Sequence, residues 1–378
     1  MRMSLRGLAL PLAVIGAVST ACSSSGSSDA SSASIAKGPL SGICPSTVVI
    51  QTDWFATAER AAAYQLVGPN GKIDAKKGSY SGPLGSTGVN VEVRLGGPSI
   101  GFQSPAAQMY QDKSIYLAYV ATDVAVQSQA KFPTTAVVAP LNIDPQIIMW
   151  DPATYTINSW KDVAATKAKI LYTEGLSYMD VLQAKGLITA DQKDSSFDGT
   201  PSRFVAEKGK VMQQGYASNA PYRWEHDVSS WTKPVNYLLV HDAGFPIYPQ
   251  GLAVRSRELG KDSACLKQLV PMMQKAQADY IKDPAATNAT LVKIATEIPG
   301  GPPVTAAGNA DAVNVMKQLK IVANGPSGTL GNFDPARVDE SIALLAPIFK
   351  AKGIAVPEGL RASDLVTNEF IDPSISLG

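Results

Sequence analysis

Two stretches of this chain hold residue types that could do chemistry. Gly97-Pro98-Ser99-Ile100-Gly101 follows the strand-like run VNVEVRL and matches Gly-x-Ser-x-Gly, the turn that presents a nucleophilic serine in hydrolases. Asp198 and His241 lie downstream in an order such a triad permits. Against this, Pro98 restricts the backbone at the tight turn, and a short pattern arises easily in a chain with 31 glycines. A plain Gly/Pro/Ser turn between strand and helix is the better reading, so no catalysis is expected. His226 and His241 read as structural residues. No paired-carboxylate, phosphate-cradling or metal-ligating motif stands out, so neither cofactor nor metal is expected.

The second stretch is IQTDWFATAER, at the end of a Val-Val-Ile run. Ligands of α/β sheets collect at the carboxyl ends of strands. There Trp54 offers a flat apolar face for a ring or alkyl group, and Asp53 can accept hydrogen bonds from its N–H groups. The alternative is that Trp54 is a structural plug and Asp53 a helix cap. Thr122 and Asp123 end the run IYLAYVA, with capping again the alternative. Thr173, Glu174, Gly175 and Tyr178 stand where a strand turns into a helix, and Tyr216, Ser218, Asn219 and Tyr222 follow a short strand in the same way. Phe245 and Tyr248, in GFPIYP, either line a connecting segment or form only a rigid turn. An anionic ligand would want a free helix N-terminus and a cation. Asp53 and Glu174 instead favour a donor-rich ligand such as an aminopyrimidine-like ring or an amine; Arg60 is the contrary sign.

The elements that must position these residues alternate. TVVIQTDWF gives a strand and turn, ERAAAYQLV (59–67) a helix, VNVEVRL (89–95) a strand, and SPAAQMYQ a helix with a Ser-Pro start. SIYLAYVA (114–121), TTAVVAPL (134–141), KAKILYTEG and VNYLLVHDAG read as further strands, and SYMDVLQAKGL as a helix closed by Gly186. Leu266, Leu269, Val270, Met273 and Ala276 recur at helical spacing, as do Val338, Ile342, Leu345 and Phe349, so the tail is helical. This alternation predicts α/β architecture with mainly parallel sheets, and the length suits two domains.

The N-terminus sets the compartment. MRMSLRGLALPLAVIGAVSTAC joins a basic segment to an apolar run too short to span a bilayer, the pattern of an export signal over residues 1–21. Ser19, Thr20 and Ala21 before Cys22 resemble a bacterial lipobox, which would leave Cys22 lipidated. SSSGSSDASSAS then reads as a flexible tether within residues 22–43. A soluble secreted protein is the alternative. Loss of Arg2 and Arg6 with the signal turns the formal charge of +1 into −1, which gives no footprint for nucleic acid. Outside the cytoplasm Cys44 and Cys265 can stay oxidised, and a disulfide between them is expected ahead of two buried free thiols.

Taken in order, TDWFATAERAAAYQ, IYLAYVATDVAVQ, WDPATYTINSWKDVAATKAKI, TEGLSYMDVLQAKGL, GKVMQQGYASNAPYRWE, DAGFPIYPQGLAVRS and LVTNEFIDP resemble the type II extracytoplasmic solute-binding proteins of ABC transporters. The branch is that of nitrate, sulfonate, taurine and thiamine-pyrimidine binders. The first stretch is most similar to the pyrimidine binders, which carry Asp-Trp and then an acid and a His. Here Glu59 and Arg60 stand in those two places, and Glu59 joins the candidate ligand set. The resemblance implies two α/β lobes joined by two crossing segments, with the ligand in a cleft that closes by a hinge. Lobe 1 would comprise residues 44–140 and 245–378, including the C-terminal helices, and lobe 2 residues 141–244. It also implies a non-catalytic, monomeric receptor for a small molecule, anchored outside the cell membrane and serving an ABC permease. Its rivals are a receptor for an anion such as nitrate or a sulfonate, a hydrolase using Ser99, and a structural lipoprotein.

Overall fold

The apolar runs before residue 139 build one sheet and those between 146 and 239 a second. They are described in a computed structural model that covers residues 37–378; the signal segment, Cys22 and most of the tether lie outside the described residues. The first sheet contains β1 (Thr47–Gln51), β2 (Lys72–Asp74), β3 (Ser79–Pro83), β4 (Asn90–Arg94), β5 (Ile115–Val120) and β6 (Thr134–Val138). The second contains β7 (Gln146–Trp150), β8 (Ile170–Leu171), β9 (Lys193–Asp194), β10 (Met212–Tyr216) and β11 (Asn236–Leu239). The chain then returns, and β12 (Gly251–Arg255) inserts into the first sheet between β5 and β6. Two segments, 139–145 and 240–250, therefore carry the chain from one lobe to the other.

Strand orders are β2-β3-β4-β1-β5-β12-β6 and β11-β7-β10-β8-β9. β1 pairs in parallel with β4 and β5, and β8 with β9 and β10. The expectation of mainly parallel sheets needs correcting at the other pairs. β12 runs antiparallel to both β5 and β6, β7 to both β10 and β11, and β2-β3-β4 is an antiparallel run. The reason is topological: a strand arriving directly from the other lobe, or from a hairpin, needs no crossover helix and enters reversed.

The first lobe carries α1 (Ala61–Val67), α2 (Pro105–Gln111) and α3 (Thr122–Ser128). The second carries α4 (Trp160–Thr166), α5 (Tyr178–Ala184), α6 (Ser202–Ala206) and α7 (Ala220–Tyr222). The tail supplies α8 (Leu259–Lys282), α9 (Ala285–Glu297), α10 (Ala306–Gln318), α11 (Pro335–Ala351) and α12 (Ala362–Leu365). Caps follow the residue chemistry. Ser104 accepts from the Ala107 amide at 3.2 Å ahead of Pro105, and Asp334 accepts from the Ala336 amide at 3.0 Å ahead of Pro335. Both tail stripes named from the sequence are buried. Cys44 and Cys265 are disulfide-bonded with Cα atoms 4.9 Å apart, which ties the start of β1 to α8. One apolar core runs through the hinge region, joining Val120, Phe333 and Leu345 to Ile148, Met179 and Leu182 of the second lobe.

Candidate ligand-binding cleft

The carboxyl end of β1 is fixed by backbone bonds: the Thr52 amide donates to Arg94 at 2.9 Å and the Thr52 hydroxyl to the Trp54 carbonyl at 2.8 Å. This turn places Asp53 against Arg60. The guanidinium grips both carboxylate oxygens, Nε to Oδ1 and Nη2 to Oδ2, each at 2.7 Å. It also donates to Thr57 at 3.0 Å, and it lies 5.6 Å from the ring centre of Tyr216 on the opposite lobe. Burial works against its charge, but Asp53, Tyr216 and Glu59 together outweigh burial and raise its pKa. Glu59, 1% exposed, reaches across the cleft: Ser218 donates to its Oε1, and so does Asn219 at 2.6 Å. Burial would raise its pKa, but Arg60 and Ser218 more than reverse that and hold it below the usual carboxylate value.

A second polar group lies at the floor. Thr122 and Tyr248 are laced together, amide to carbonyl at 3.0 Å and amide to hydroxyl at 3.1 Å, so α3 is fixed to the return crossing. Asp123 takes the Ser177 hydroxyl from the second lobe on Oδ2, while its buried Oδ1 has no donor. Burial pushes its pKa up, with Ser177 pulling against it. Asp144, in the outward crossing, accepts from the Gln146 amide at 3.1 Å. Burial pushes its carboxyl up to about 7; Asp123 and Asp53 add to this, and Arg337 works against it. The second lobe frames the floor with Gln214, whose Oε1 accepts from the Tyr178 hydroxyl at 3.1 Å and the Thr173 amide at 2.9 Å. Burial drives the Tyr178 and Tyr216 phenols upward.

Asp53, Glu59, Asp123, Thr173, Tyr178, Tyr216 and Asn219 thus stand on facing walls. Thr122 and Tyr248 back the floor and Trp54 stands at the mouth, while the other candidates are placed differently. Glu174 and Gly175 are exposed in the turn before α5. Phe245 is buried in the shared core, and Tyr248 packs on Phe333, beneath Arg337 at 4.0 Å, with its hydroxyl accepting from the Asp334 amide at 2.8 Å. Tyr222 stacks on His226 with centroids 4.4 Å apart. Trp54 is half-buried at the mouth, where a side chain on Gly97 would meet its ring at 2.7 Å; Gly97 also has φ +57°, so the position suits glycine twice over. Phe55 stands edge-on to it at 5.5 Å, and Gly199 of the second lobe comes to its far edge. The hydrolase trio does not assemble: Ser99 is exposed, Asp198 is engaged by Thr200, and Ser99 has no hydrogen bond to His241 among the described residues.

Sequence reasoning did not single out Ser177, Gln214 or Asp144. Ser177 and Gln214 sit beside named residues and become visible once strand ends are matched across lobes. Asp144 carries no local signal, because it lies in an irregular crossing.

No family model matches the sequence, and no curated protein matches it either. Solved structures do match. The alkanesulfonate-binding protein SsuA from Xanthomonas axonopodis pv. citri, bound to MOPS, aligns with a TM-score of 0.55 at 12% identity over 85% of this chain and 98% of its own. The periplasmic aliphatic sulphonate binding protein SsuA from Escherichia coli gives 0.56 at 16% identity over 86% and 92%. The ligand-binding component of an ABC-type import system from Staphylococcus aureus, with zinc bound, gives 0.52 at 12% over 87% and 99%. The fold is that of the two-lobe periplasmic binding proteins. Two of these neighbours are sulfonate-binding proteins and the third is the ligand-binding component of an import system, in accord with the resemblance drawn from the sequence.

Proposed function

We propose that this protein is an extracytoplasmic receptor that captures a small organic solute between its lobes and delivers it to the permease of an ABC importer. In this reading it works as a monomer held to the membrane by a lipid on Cys22, with lobe boundaries near residues 140 and 245. One observation carries it: polar side chains from both lobes converge on one cleft, Glu59 with Ser218 and Asn219, and Asp123 with Ser177. Such bonds form and break with hinge motion, so a ligand that fits between them shifts the equilibrium by its differential affinity. The ligand favoured is one rich in N–H donors, a nitrogen-rich ring or an amine, since the walls present carboxylates and amide carbonyls.

A second reading, an alkyl sulfonate, is favoured by the names of the structural neighbours. Arg60 speaks against it, because Asp53 already occupies that guanidinium through two bonds of 2.7 Å. A broad thermal-shift screen separates receptor from inert envelope protein, since a ligand at a hundred times its Kd adds about 2.7 kcal/mol of stability. A ligand-dependent rise is expected. Hydrolysis of an ester probe that disappears in Ser99→Ala would overturn the receptor in favour of an enzyme.

A further inference from the structure

We infer that the cleft floor is a seat for an organic ammonium group, held between the carboxylates of Asp123 and Asp144. The inference rests on the receptor reading and names its substrate class. Asp123 is 8% exposed; its Oδ2 receives the Ser177 hydroxyl from the facing lobe, and its buried Oδ1 has no hydrogen-bond donor. A buried carboxylate oxygen without a donor lowers stability, and a ligand that supplies the donor removes the penalty. Asp144, 4% exposed, approaches from the crossing segment with the Gln146 amide as its hydrogen-bond donor.

Neither carboxylate takes part in an ion pair among the described residues. The nearby cations are already engaged. Arg60 is clamped by Asp53, and Arg337 donates to the carbonyls of Pro246 and Ile247, each at 2.6 Å, beneath which lies Tyr248. The charge that compensates the floor therefore comes as a proton in the empty cleft or as a cation on the ligand. An ammonium brings three donors and a compact charge, enough for Oδ1 of Asp123 and an oxygen of Asp144 together. A sulfonate would instead bring a further negative charge beside two acidic groups. Burial raises the pKa of both carboxyls, and a cation placed between them would act in the opposite sense.

The test uses the purified protein with two probe sets: ethanolamine, propylamine and 1,4-diaminobutane against methanesulfonate and ethanesulfonate. Melting temperature and calorimetry are followed for wild type, Asp123→Asn and Asp144→Asn. At least one ammonium probe is expected to raise the wild-type melting temperature, and each substitution to weaken that probe tenfold or more. Without any probe, Asp144→Asn should melt at or above wild type, whereas a carboxylate kept for structure would melt lower when neutralised. Failure of every ammonium probe overturns the seat, whatever the melting temperatures. So does undiminished ammonium binding in both variants. A sulfonate that binds while the ammonium probes fail leaves the receptor standing and removes only the seat; a broad screen without any ligand removes the receptor as well.

Discussion

The mouth and the floor of the cleft use the same residue types to opposite effect. At the mouth, Asp53 and Glu59 share the buried Arg60; Ser218 and Asn219 donate to Oε1 of Glu59, while its Oε2 has no hydrogen-bond donor but lies 3.6 Å from the guanidinium. At the floor, Asp123 and Asp144 are buried too, yet neither forms an ion pair among the described residues, and Oδ1 of Asp123 has no donor. The paired group carries its own counter-charge, so it can set how the lobes meet. The unpaired group is left in deficit, and that deficit is what a ligand can fill.

The comparison breaks first at Arg60. Arg60→Met would strand Glu59, 1% exposed, without its counter-ion. Removing one partner of a buried pair costs about 3–5 kcal/mol, so a large drop in denaturation midpoint is expected by urea unfolding. A near-wild-type midpoint would mean that the pair adds little and that the mouth is no more complete than the floor.

Trp54 comes next. Its ring stands at the same mouth, between Gly97 and Gly199, where it can face a ligand as well as close over one. Trp54→Ala removes that face and is expected to weaken solute binding by about 2–3 kcal/mol, roughly a hundredfold, measured by calorimetry. An unfolded variant whose remaining folded fraction binds normally would instead make the ring a structural plug.

Proton linkage sharpens the contrast with a smaller effect. The Asp144 carboxyl is raised from 3.8 to about 7, so between those values the folded chain holds more protons than the unfolded one and stability falls as pH rises. Glu59 is shifted the other way, so its contribution is present above the usual carboxylate range and is lost as pH falls through it. The groups acting on Asp144 are Asp123, Asp53, Arg337 and the Gln146 amide. Melting curves of wild type and Asp144→Asn between pH 4 and 7 are expected to diverge, with the variant gaining as pH rises. Parallel curves would show that Asp144 is not buried in deficit.

Lys352 marks the small end. It bridges α11 to Asp180 of α5 at 2.6 Å from a half-exposed position, joining the lobes outside the cleft. Exposed pairs contribute about 0–1 kcal/mol, so Lys352→Ala should leave the melting temperature within a degree or two of wild type.

How much of this was legible depended on distance along the chain. β1, β4 and β5 announce themselves through apolar alternation, and the tail helices through their stripes. The hairpin of β2 and β3 is short and polar, while β7 and β12 follow Pro145 and Pro249-Gln250 in segments that read as loops, so these strands were not named. In the cleft, strand-end residues such as Asp53, Asp123 and Tyr216 were visible because a strand's end is a local property. Their pairings were not: Ser218, itself named as a strand-end residue, meets Glu59 across 159 residues, and Ser177, which was not named, meets Asp123 across 54, and only the folded lobes bring them together. Glu174 illustrates the opposite limit, since it follows a strand and yet points to solvent.

The central claim is that a solute held between the lobes draws them together. Small-angle scattering of the purified protein, with and without a solute that raises its melting temperature, tests this directly. A smaller radius of gyration with solute bound, lost together with binding in Asp123→Asn, is the result expected. Tight binding at an unchanged radius, with Asp123→Asn binding as well as wild type, would place the site outside this cleft and contradict the account.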